Sequence, residues 1–272
     1  MLIDTHCHIN MMVKNTFDVP LDDSCLPLAQ TIINDAHHAG ITTIINVGTS
    51  LVESMNCVLL AQRFNPVYAA IGIHPNDATD VWHNDFDQLR TLVRNKGHNK
   101  IVAIGETGLD RHYPEYNLPR QIDAFKAQIN LALENNLGLI VHTRDAAHET
   151  LAVLEEYATD LSRCVIHCFS EQQDFAHQVT AWGFFIGLGG AITYPKNEYL
   201  RNIARTTPLE HIVLETDAPF LPPQIIRGKQ NSPAQIRTIA HYLADLRETS
   251  LETVASQTTM NAQTLFALAP VQ

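Results

Sequence analysis

The sequence is poor in the features that mark membrane and secreted proteins. No run approaches the roughly 18 consecutive apolar residues that cross a bilayer, so we expect no membrane partner. No basic leader precedes an apolar stretch, which argues against a signal peptide. The five cysteines are an odd number without Cys-x-x-Cys spacing, a pattern that favours reduced thiols over disulfides. We therefore expect a cytoplasmic protein.

Basic residues are also few. The 18 Lys and Arg residues face 29 Asp and Glu residues, and the formal net charge is −11. This balance argues against a broad basic face that grips duplex DNA by neutralising its phosphates. A phosphate-bearing substrate remains open, because bound divalent cations reverse the sign of the charge locally. We therefore expect any nucleic acid to enter as a single strand or a frayed end, in a metal-dependent way, and we expect a monomer.

Aromatic residues make up only 7% of the chain, and few of them follow the ends of the predicted strands. The candidates for stacking on nucleic-acid bases are Tyr113, Tyr116, Phe169 and Phe220. Packing within a loop is the alternative interpretation for each of these four side chains.

The chain also lacks a Gly-x-Gly-x-x-Gly motif after its first strand-like run, which weighs against a doubly wound open sheet. Strand-like and helix-like segments instead alternate eight times, and several strand-like runs are continuously apolar, as in buried parallel strands. Eight such units in 272 residues predict one domain, residues 1–272, folded as an α/β TIM (β/α)8 barrel with extra C-terminal helices. The predicted strands are 2–7, 42–47, 67–73, 101–106, 139–142, 164–168, 184–188 and 212–215. The predicted helices are 28–39, 51–64, 86–96, 119–136, 146–159, 174–182, 198–205, 233–248 and 251–267.

Histidine and carboxylate side chains recur at the C-terminal ends of the predicted strands. His6 and His8 end the first strand two positions apart, so they point to the same face and can bind one metal ion. Four later strands end at Glu106, His142, His167 and Asp217. The active sites of TIM barrels lie at this face. These six residues therefore predict a metal site, in which the two oxygens of Glu106 can bridge two ions.

Other polar residues at the same strand ends are candidates for binding substrate. His74, after the third strand, can bind a phosphate or an oxyanion, or can cap the following loop. Arg144 can bind a phosphate through its planar guanidinium group. Asp110 can bind substrate, orient a neighbouring residue or occupy a turn. Asp145 is interpreted as a helix N-cap.

The end of the eighth strand carries two acidic residues with different predicted roles. Asp217 can bind a metal ion and, as a catalytic general base, take a proton from an attacking water. Glu215 shares its face and either hydrogen-bonds a ligand histidine from behind or forms a buried ion pair. Cys7 and Cys168 alternate to the opposite face of their strands, so neither is expected to be a ligand.

This ligand set indicates metal-assisted hydrolysis, with a phosphodiester as the expected bond. Imidazole ligands suit Zn²⁺ or Mn²⁺ and carboxylates suit Mg²⁺, so the identity of the ion stays open. One alternative is an ester or amide hydrolase, such as an aminoacyl-tRNA deacylase or a lactonase, with the same metal centre. A second alternative is a non-enzymatic barrel that binds metal within a larger assembly.

Six motifs in order resemble those of the TatD family of metal-dependent hydrolases, which belongs to the amidohydrolase group of barrels, and the resemblance runs from residue 2 to about residue 265. It implies two divalent ions (Mg²⁺, Mn²⁺ or Zn²⁺) that share Glu106, and nuclease activity, usually as a 3′→5′ exonuclease on single-stranded DNA. The ligands implied for the first ion are His6, His8, Glu106 and Asp217. Those implied for the second ion are Glu106, His142 and His167. The motifs are Asp4-x-His6-x-His8, Gly72-Ile73-His74-Pro75, Gly105-Glu106-x-Gly108-Leu109-Asp110, His142-Thr143-Arg144, His167-Cys168-Phe169 and Glu215-Thr216-Asp217.

The sequence departs from the pattern of this family in two places. Members of the family commonly carry two aromatic residues where Arg111 and His112 stand here. They also commonly carry Glu where Ser232 follows Asn231 here. Neither departure touches an expected ligand, so both bear on the choice of substrate rather than on the chemistry.

Overall fold

The computed structural model describes residues 1–14 and 16–269, and within them eight parallel strands follow one another around one sheet in sequence order. The strands are β1 Leu2–Cys7, β2 Ile41–Val47, β3 Val67–Ile71, β4 Ile101–Asp110, β5 Gly138–Arg144, β6 Cys164–Ile166, β7 Phe185–Leu188 and β8 Ile212–Leu214. The α-helices are α1 Ile9–Met12, α2 Leu26–His38, α3 Leu51–Arg63, α4 Trp82–Arg94, α5 Leu118–Asn135, α6 Ala147–Glu155, α7 Gln173–Ala181, α8 Glu198–Thr206, α9 Ile236–Leu246 and α10 Leu251–Phe266.

The chain beyond β8 meets β1 and nearly closes the sheet into a barrel. The N–H of Asp217 donates to the carbonyl oxygen of His6 over 2.9 Å. The buried carboxylate of Asp4 accepts hydrogen bonds from the hydroxyl and the N–H of Thr216, at 2.6 and 3.0 Å. The predicted TIM barrel is confirmed, and these contacts bring the histidines of β1 next to the carboxylate that follows β8.

Apolar side chains fill the lower half of the barrel interior, which lies toward the N-terminal ends of the strands. The C-terminal helix α10 closes this end, where the Thr259 hydroxyl donates to the Met1 carbonyl oxygen over 3.1 Å. We call this set the lower core; its buried members are Ile3, Ile45, Val47, Ala70, Ala103, Ile140, Val165, Phe185, Val213, Ala262, Leu265 and Phe266. A second and larger apolar cluster packs the surrounding helices against the outside of the sheet. Of the two extra C-terminal helices, α10 thus seals one end of the barrel and leaves the other end for chemistry, while α9 packs in the outer cluster.

Several strand boundaries differ from those predicted. β4 continues to Asp110, four residues beyond its expected end, whereas β6 stops at Ile166. The pairing of β1 with β2 shifts between Asp4 and Cys7, and β4 has a similar shift before Thr107. Such irregularities turn the side chains that follow them, so simple alternation does not run unbroken along these two strands.

Within the described residues, no helix has both the length and the apolar character that crossing a bilayer requires. The five cysteines are free thiols. Cys7 is buried in the outer cluster, on the side of β1 away from the barrel interior, as alternation predicts.

Candidate metal centre

The upper half of the barrel interior gathers imidazole and carboxylate groups from several strand ends. The Nε2 atoms of His6 and His8 lie 3.2 Å apart, so the two rings point to one spot. The Oδ1 atom of Asp217 lies 3.8 Å from the first of these nitrogens and 3.4 Å from the second. Two nitrogens and one oxygen therefore converge from opposite sides of the β1–β8 junction.

The carboxylate of Glu106 faces this group with one oxygen and a second group with the other. Its Oε2 atom lies 3.4 Å from His6 Nε2 and 4.0 Å from His8 Nε2. Its Oε1 atom lies 2.8 Å from His142 Nδ1 and 2.9 Å from His167 Nε2. One buried carboxylate thus stands between two separate sets of ring nitrogens.

A close approach of β4 and β5 brings Glu106 and His142 together. Gly108 has a positive φ of 142°, a conformation that glycine adopts readily and other residues adopt at a cost. A Cβ atom at this position would lie 2.0 Å from the carbonyl oxygen of His142. Glycine is therefore required where the two strands draw the second group of ligands together.

Groups behind two of the rings orient them toward the centre. The Nδ1 atom of His8 lies 2.8 Å from the carbonyl oxygen of Val47, so this nitrogen carries a hydrogen and Nε2 faces the centre. The Nδ1 atom of His167 lies 3.5 Å from Glu215 Oε1. Glu215 is buried and also accepts a hydrogen bond from the N–H of Cys168. Imidazole rings with such support behind them are typical of metal ligands, and this donor set fits one or two divalent ions.

The charges of the cluster are strongly coupled. Burial raises the pKa of Glu106, but the surrounding imidazoles, His167 first, hold it well below its usual range. Burial lowers the pKa of His167, yet the carboxylates of Glu106 and Glu215 raise it well above its usual range. Burial raises the pKa of Asp217, but the imidazoles of His8, His167 and His6 together lower it below its usual value. The carboxylates are therefore ionised at neutral pH and available to cations.

His74 differs from the other histidines of the cluster. Its Nδ1 atom accepts a hydrogen bond of 3.2 Å from the N–H of Asn76. Burial, together with the neighbouring His142, lowers the pKa of His74 to about 3, so the ring is neutral. Its hydrogen must then sit on Nε2, 3.7 Å from Glu106 Oε1. His74 is a hydrogen-bond donor at the centre, which suits contact with a substrate oxygen and not ligation of a metal.

Asp110 lies at the wall of the cavity, but its oxygens already have partners. Its Oδ2 atom lies 3.0 Å from His142 Nε2 and accepts from the side-chain amide of Asn76 over 3.1 Å. Its Oδ1 atom accepts from the N–H of His112 over 2.8 Å. Burial raises the pKa of Asp110, but these hydrogen bonds lower it to about 2. The expected contact of Asp110 with substrate therefore competes with bonds inside the protein.

A cavity of about 790 Å³ opens above the cluster and receives further side chains from the loops. Arg144, expected to bind phosphate, lines it, as do Tyr113 and Phe220 among the expected stacking residues. Of the other two, Phe169 is buried, and Tyr116 lies under the guanidinium group of Arg111. Loop residues that sequence reasoning missed also line the cavity: Phe17, Asp77, Tyr194, Lys196 and Arg227.

The orientation predicted for Cys168 from strand alternation is wrong. It lines the cavity, although it was expected to face away. β6 ends two residues earlier, and Cys168 has a positive φ of 46°, so the alternation of the strand does not reach it. Burial, followed by the nearby carboxylates Asp217 and Glu215, raises the pKa of its thiol well above the usual range. The protonated thiol remains a poor ligand.

Comparisons with known proteins agree with this geometry. A family model described as TatD related DNase matches residues 3–267. The chain is 37% identical over 267 residues to the Uncharacterized metal-dependent hydrolase YcfH of Escherichia coli K12, covering 97% of this chain and 95% of that one. It is 32% identical over 243 residues to an Erwinia amylovora protein named 3'-5' ssDNA/RNA exonuclease TatD, with coverage of 87% and 93%. The crystal structure of YjjV, a TatD homologue from Escherichia coli K12, superposes with a TM-score of 0.86 at 30% identity, and 98% of each chain is covered.

Proposed function

Because this chain belongs to the TatD family of metal-dependent hydrolases, we propose that it removes nucleotides from the 3′ end of single-stranded DNA by hydrolysing phosphodiester bonds. The observation that carries the proposal is the carboxylate of Glu106, which faces two sets of imidazole nitrogens at the base of a cavity. The relative named as an exonuclease on single-stranded DNA and RNA supports the choice of substrate. The cytoplasmic location and the monomeric state remain predictions.

Two divalent ions fit the donor set. His6, His8 and Asp217 would hold one ion and His142 and His167 the other, and both ions would contact Glu106. Two bound ions of this kind lower the pKa of a water and neutralise charge that develops on a transferring phosphoryl group. Mn²⁺ and Zn²⁺ suit the imidazole ligands and Mg²⁺ suits the carboxylates, so all three belong in the test.

The residues around the ligands supply proton transfer and phosphate binding. Asp217 is ionised at neutral pH, since its pKa is lowered, and can accept a proton from an attacking water. His74 presents an N–H to the centre, which can donate to a non-bridging phosphate oxygen. Arg144 lies across the cavity with its guanidinium group 5.9 Å from the ring of Tyr113. Its planar donors suit a second phosphate oxygen.

The shape of the site favours a strand end over a duplex. The ligands lie inside the barrel, at the base of a cavity of about 790 Å³, and not on an open basic surface. The net charge of −11 opposes broad contact with a duplex. A flexible single strand can enter such a cavity with one or two nucleotides, whereas a duplex cannot reach its base.

The test uses a single-stranded oligonucleotide labelled at its 5′ end, metal-stripped protein, and Mg²⁺, Mn²⁺ or Zn²⁺ added back singly. We expect a metal-dependent ladder that shortens from the 3′ end, and no shortening when the 3′ end is blocked or the strand is circular. Asp217→Asn should abolish the ladder, while His148→Ala, at an exposed histidine on α6, should not. The same samples are tested on a panel of carboxylic esters and amides. Turnover of that panel without any cleavage of nucleic acid would replace the nuclease with an ester or amide hydrolase.

A further inference from the structure

The rim of the cavity carries positive charge that the protein itself does not neutralise. Across residues 1–14 and 16–269, the side chains of Arg144, Lys196 and Arg227 form no ion pair and no hydrogen bond, yet all three line the cavity. Most other basic side chains of this acidic chain have such a partner, as Arg111 has with Glu149. The free cations are thus concentrated where a substrate enters.

Two of these cations stand on loops that are tied to each other. Lys196 follows β7 and Arg227 follows β8. The loop after β7 also contains Tyr194, which is buried and donates from its hydroxyl to the carbonyl oxygen of Pro222 over 2.9 Å. The guanidinium group of Arg227 lies 4.4 Å from the centre of the Tyr194 ring. We call the surface formed by Tyr194, Lys196 and Arg227 the β7–β8 wall; its backbone is held by packing, although its charges are exposed.

We propose that the β7–β8 wall binds the backbone phosphates of the nucleotides that follow the scissile bond into the strand. This inference rests on the proposed function, because it assigns a second subsite to the same substrate. The scissile phosphate needs the centre at the base of the cavity, together with His74 and Arg144. The next phosphates must then leave along the cavity wall, where Lys196 and Arg227 offer unpaired cations to them.

The proposal predicts different effects of the same substitutions on a short and a long substrate. A thymidine p-nitrophenyl phosphodiester has a single phosphate and reaches only the centre, whereas a single-stranded hexanucleotide also reaches the wall. Replacing both cations, in Lys196→Gln with Arg227→Gln, should raise KM for the hexanucleotide about tenfold or more, because hydrogen bonds to charged groups are strong. The slope of log KM against log salt should fall by about 0.7 for each lost phosphate contact. Turnover of the small diester should be unchanged.

Lys229→Gln is the matched control, because Lys229 is exposed in the same loop as Arg227 but does not line the cavity. An equal rise of KM for the hexanucleotide in this control would assign the effect to the overall charge of the protein and overturn the proposal. Equal losses on both substrates, or no loss on the hexanucleotide, would also overturn it. Anisotropy of a labelled hexanucleotide, measured with Asp217→Asn protein, reports binding without cleavage. If the wild type binds through the wall but cleaves no nucleic acid, the proposed function fails and the subsite stands.

Asp110 supports a second inference from independent contacts. Its backbone N–H and carbonyl oxygen are both held by the side-chain amide of Gln121, at 3.0 and 2.9 Å. The N–H of His112 fixes Oδ1 as an acceptor, and Oδ2 faces His142 Nε2 at 3.0 Å. We infer that Asp110 is a positioning residue that keeps the hydrogen of His142 on Nε2. The second ion then has to displace only the hydrogen on Nδ1, which lies 2.8 Å from Glu106 Oε1.

Asp110→Asn tests this role because the N–H of His112 dictates how the new amide is oriented. The amide oxygen takes the place of Oδ1, so its NH₂ group points at His142 Nε2 and drives the ring hydrogen to Nδ1. We expect affinity for the second ion to fall about 10–100-fold, so that the variant keeps one ion per chain after gel filtration and the wild type keeps two. Nitrogen-15 shifts of His142 in the ion-free protein should show hydrogen on both ring nitrogens in the wild type and on Nδ1 alone in the variant.

Asn76→Ala is the matched control, since it removes the other partner of Asp110 Oδ2 but leaves an acceptor for His142. It should keep both ions. If Asp110→Asn keeps both ions and a hydrogen on His142 Nε2, or if Asn76→Ala loses an ion equally, the positioning role is overturned. Equal melting temperatures of the two variants show that the comparison reports on the ring and not on folding.

Discussion

The barrel interior has two halves that the same strands supply with opposite chemistry. On β5, the apolar Ile140 of the lower core stands two residues before His142 of the metal centre. On β6, Val165 stands two residues before His167 in the same way. The lower half is a sealed apolar core, which stabilises the fold. The upper half buries ionisable groups, which is tolerated only because each has a charged or hydrogen-bonded partner. At β5 and β6, two residues thus separate a side chain that stabilises the fold from one at the candidate metal centre.

The largest effect is expected from removing the negative charge of Glu106, which faces both sets of imidazole nitrogens in the upper half. Glu106→Gln keeps a side chain of the same size but removes the anion that faces five imidazole nitrogens. We expect kcat/KM for the labelled oligonucleotide to fall about 10⁴-fold, since a two-ion centre contributes several kcal/mol to the transition state. Circular dichroism should show the barrel intact. A loss smaller than tenfold would mean that Glu106 is not part of the reacting centre.

The second prediction concerns a cavity made in the apolar lower half. Phe266→Ala removes a buried ring of α10 from the lower core. The free energy of unfolding should fall by about 3–5 kcal/mol, the usual loss when a buried aromatic residue is truncated. The kcat/KM of the molecules that remain folded should stay within about twofold of the wild type, because no upper contact changes. Met260→Ala, at a half-exposed residue of the same helix, is the control in chemical denaturation. Loss of bound metal at full folding would contradict the separation of the two halves.

A third prediction concerns Gly187, which lies where the apolar lower half meets the ionisable upper half. Gly187 on β7 lies beside Glu215, and a Cβ atom there would come within 2.3 Å of Glu215 Oε2. Gly187→Ala should push Glu215 away from His167 and lower affinity for the second ion about 10–100-fold, as is typical when support behind a ligand is lost. Gly97→Ala, where a Cβ atom meets nothing within 4 Å, should leave affinity unchanged. Titration with Mn²⁺ measures the affinity of both variants. Equal affinities would show that Glu215 does not support the binding of the second ion.

The smallest expected effect comes from pH. Burial lowers the pKa of His8, His142 and His167, but their carboxylate partners outweigh it and raise each pKa above its usual value. These rings therefore hold protons at a higher pH than free imidazole does, and an incoming ion must displace them. Affinity for metal should fall about tenfold per pH unit for each displaced proton as the pH is lowered from 8 to 6. Calorimetry in two buffers of different ionisation enthalpy counts the released protons; affinity that does not change with pH would contradict the raised pKa values.

Sequence periodicity predicts which side chains face the barrel interior on some strands but not on others. The eight strands and the barrel follow from alternating apolar segments, and on β5 and β6 a period of two correctly links the lower core to the upper ligands. On β1 and β4 the pairing shifts, so that Ile3 and His6, three residues apart, both face the interior. No local pattern in the sequence marks these shifts, because they depend on how neighbouring strands pair.

The loops were the least predictable part of the site. Lys196 and Arg227 lie beyond the ends of β7 and β8, where no period fixes the direction of a side chain. The position of Asp110 was predicted, but its contact with His142 depends on the extension of β4, which the apolar pattern did not indicate.

We propose that the upper half of the barrel binds two ions that share the carboxylate of Glu106. The test is electron paramagnetic resonance of Mn²⁺-loaded protein, with metal content measured on the same sample. We predict two Mn²⁺ ions per chain with an exchange-coupled spectrum, and loss of that coupling in Glu106→Gln. A single Mn²⁺ ion per chain, or two ions without coupling in the wild type, would contradict the account.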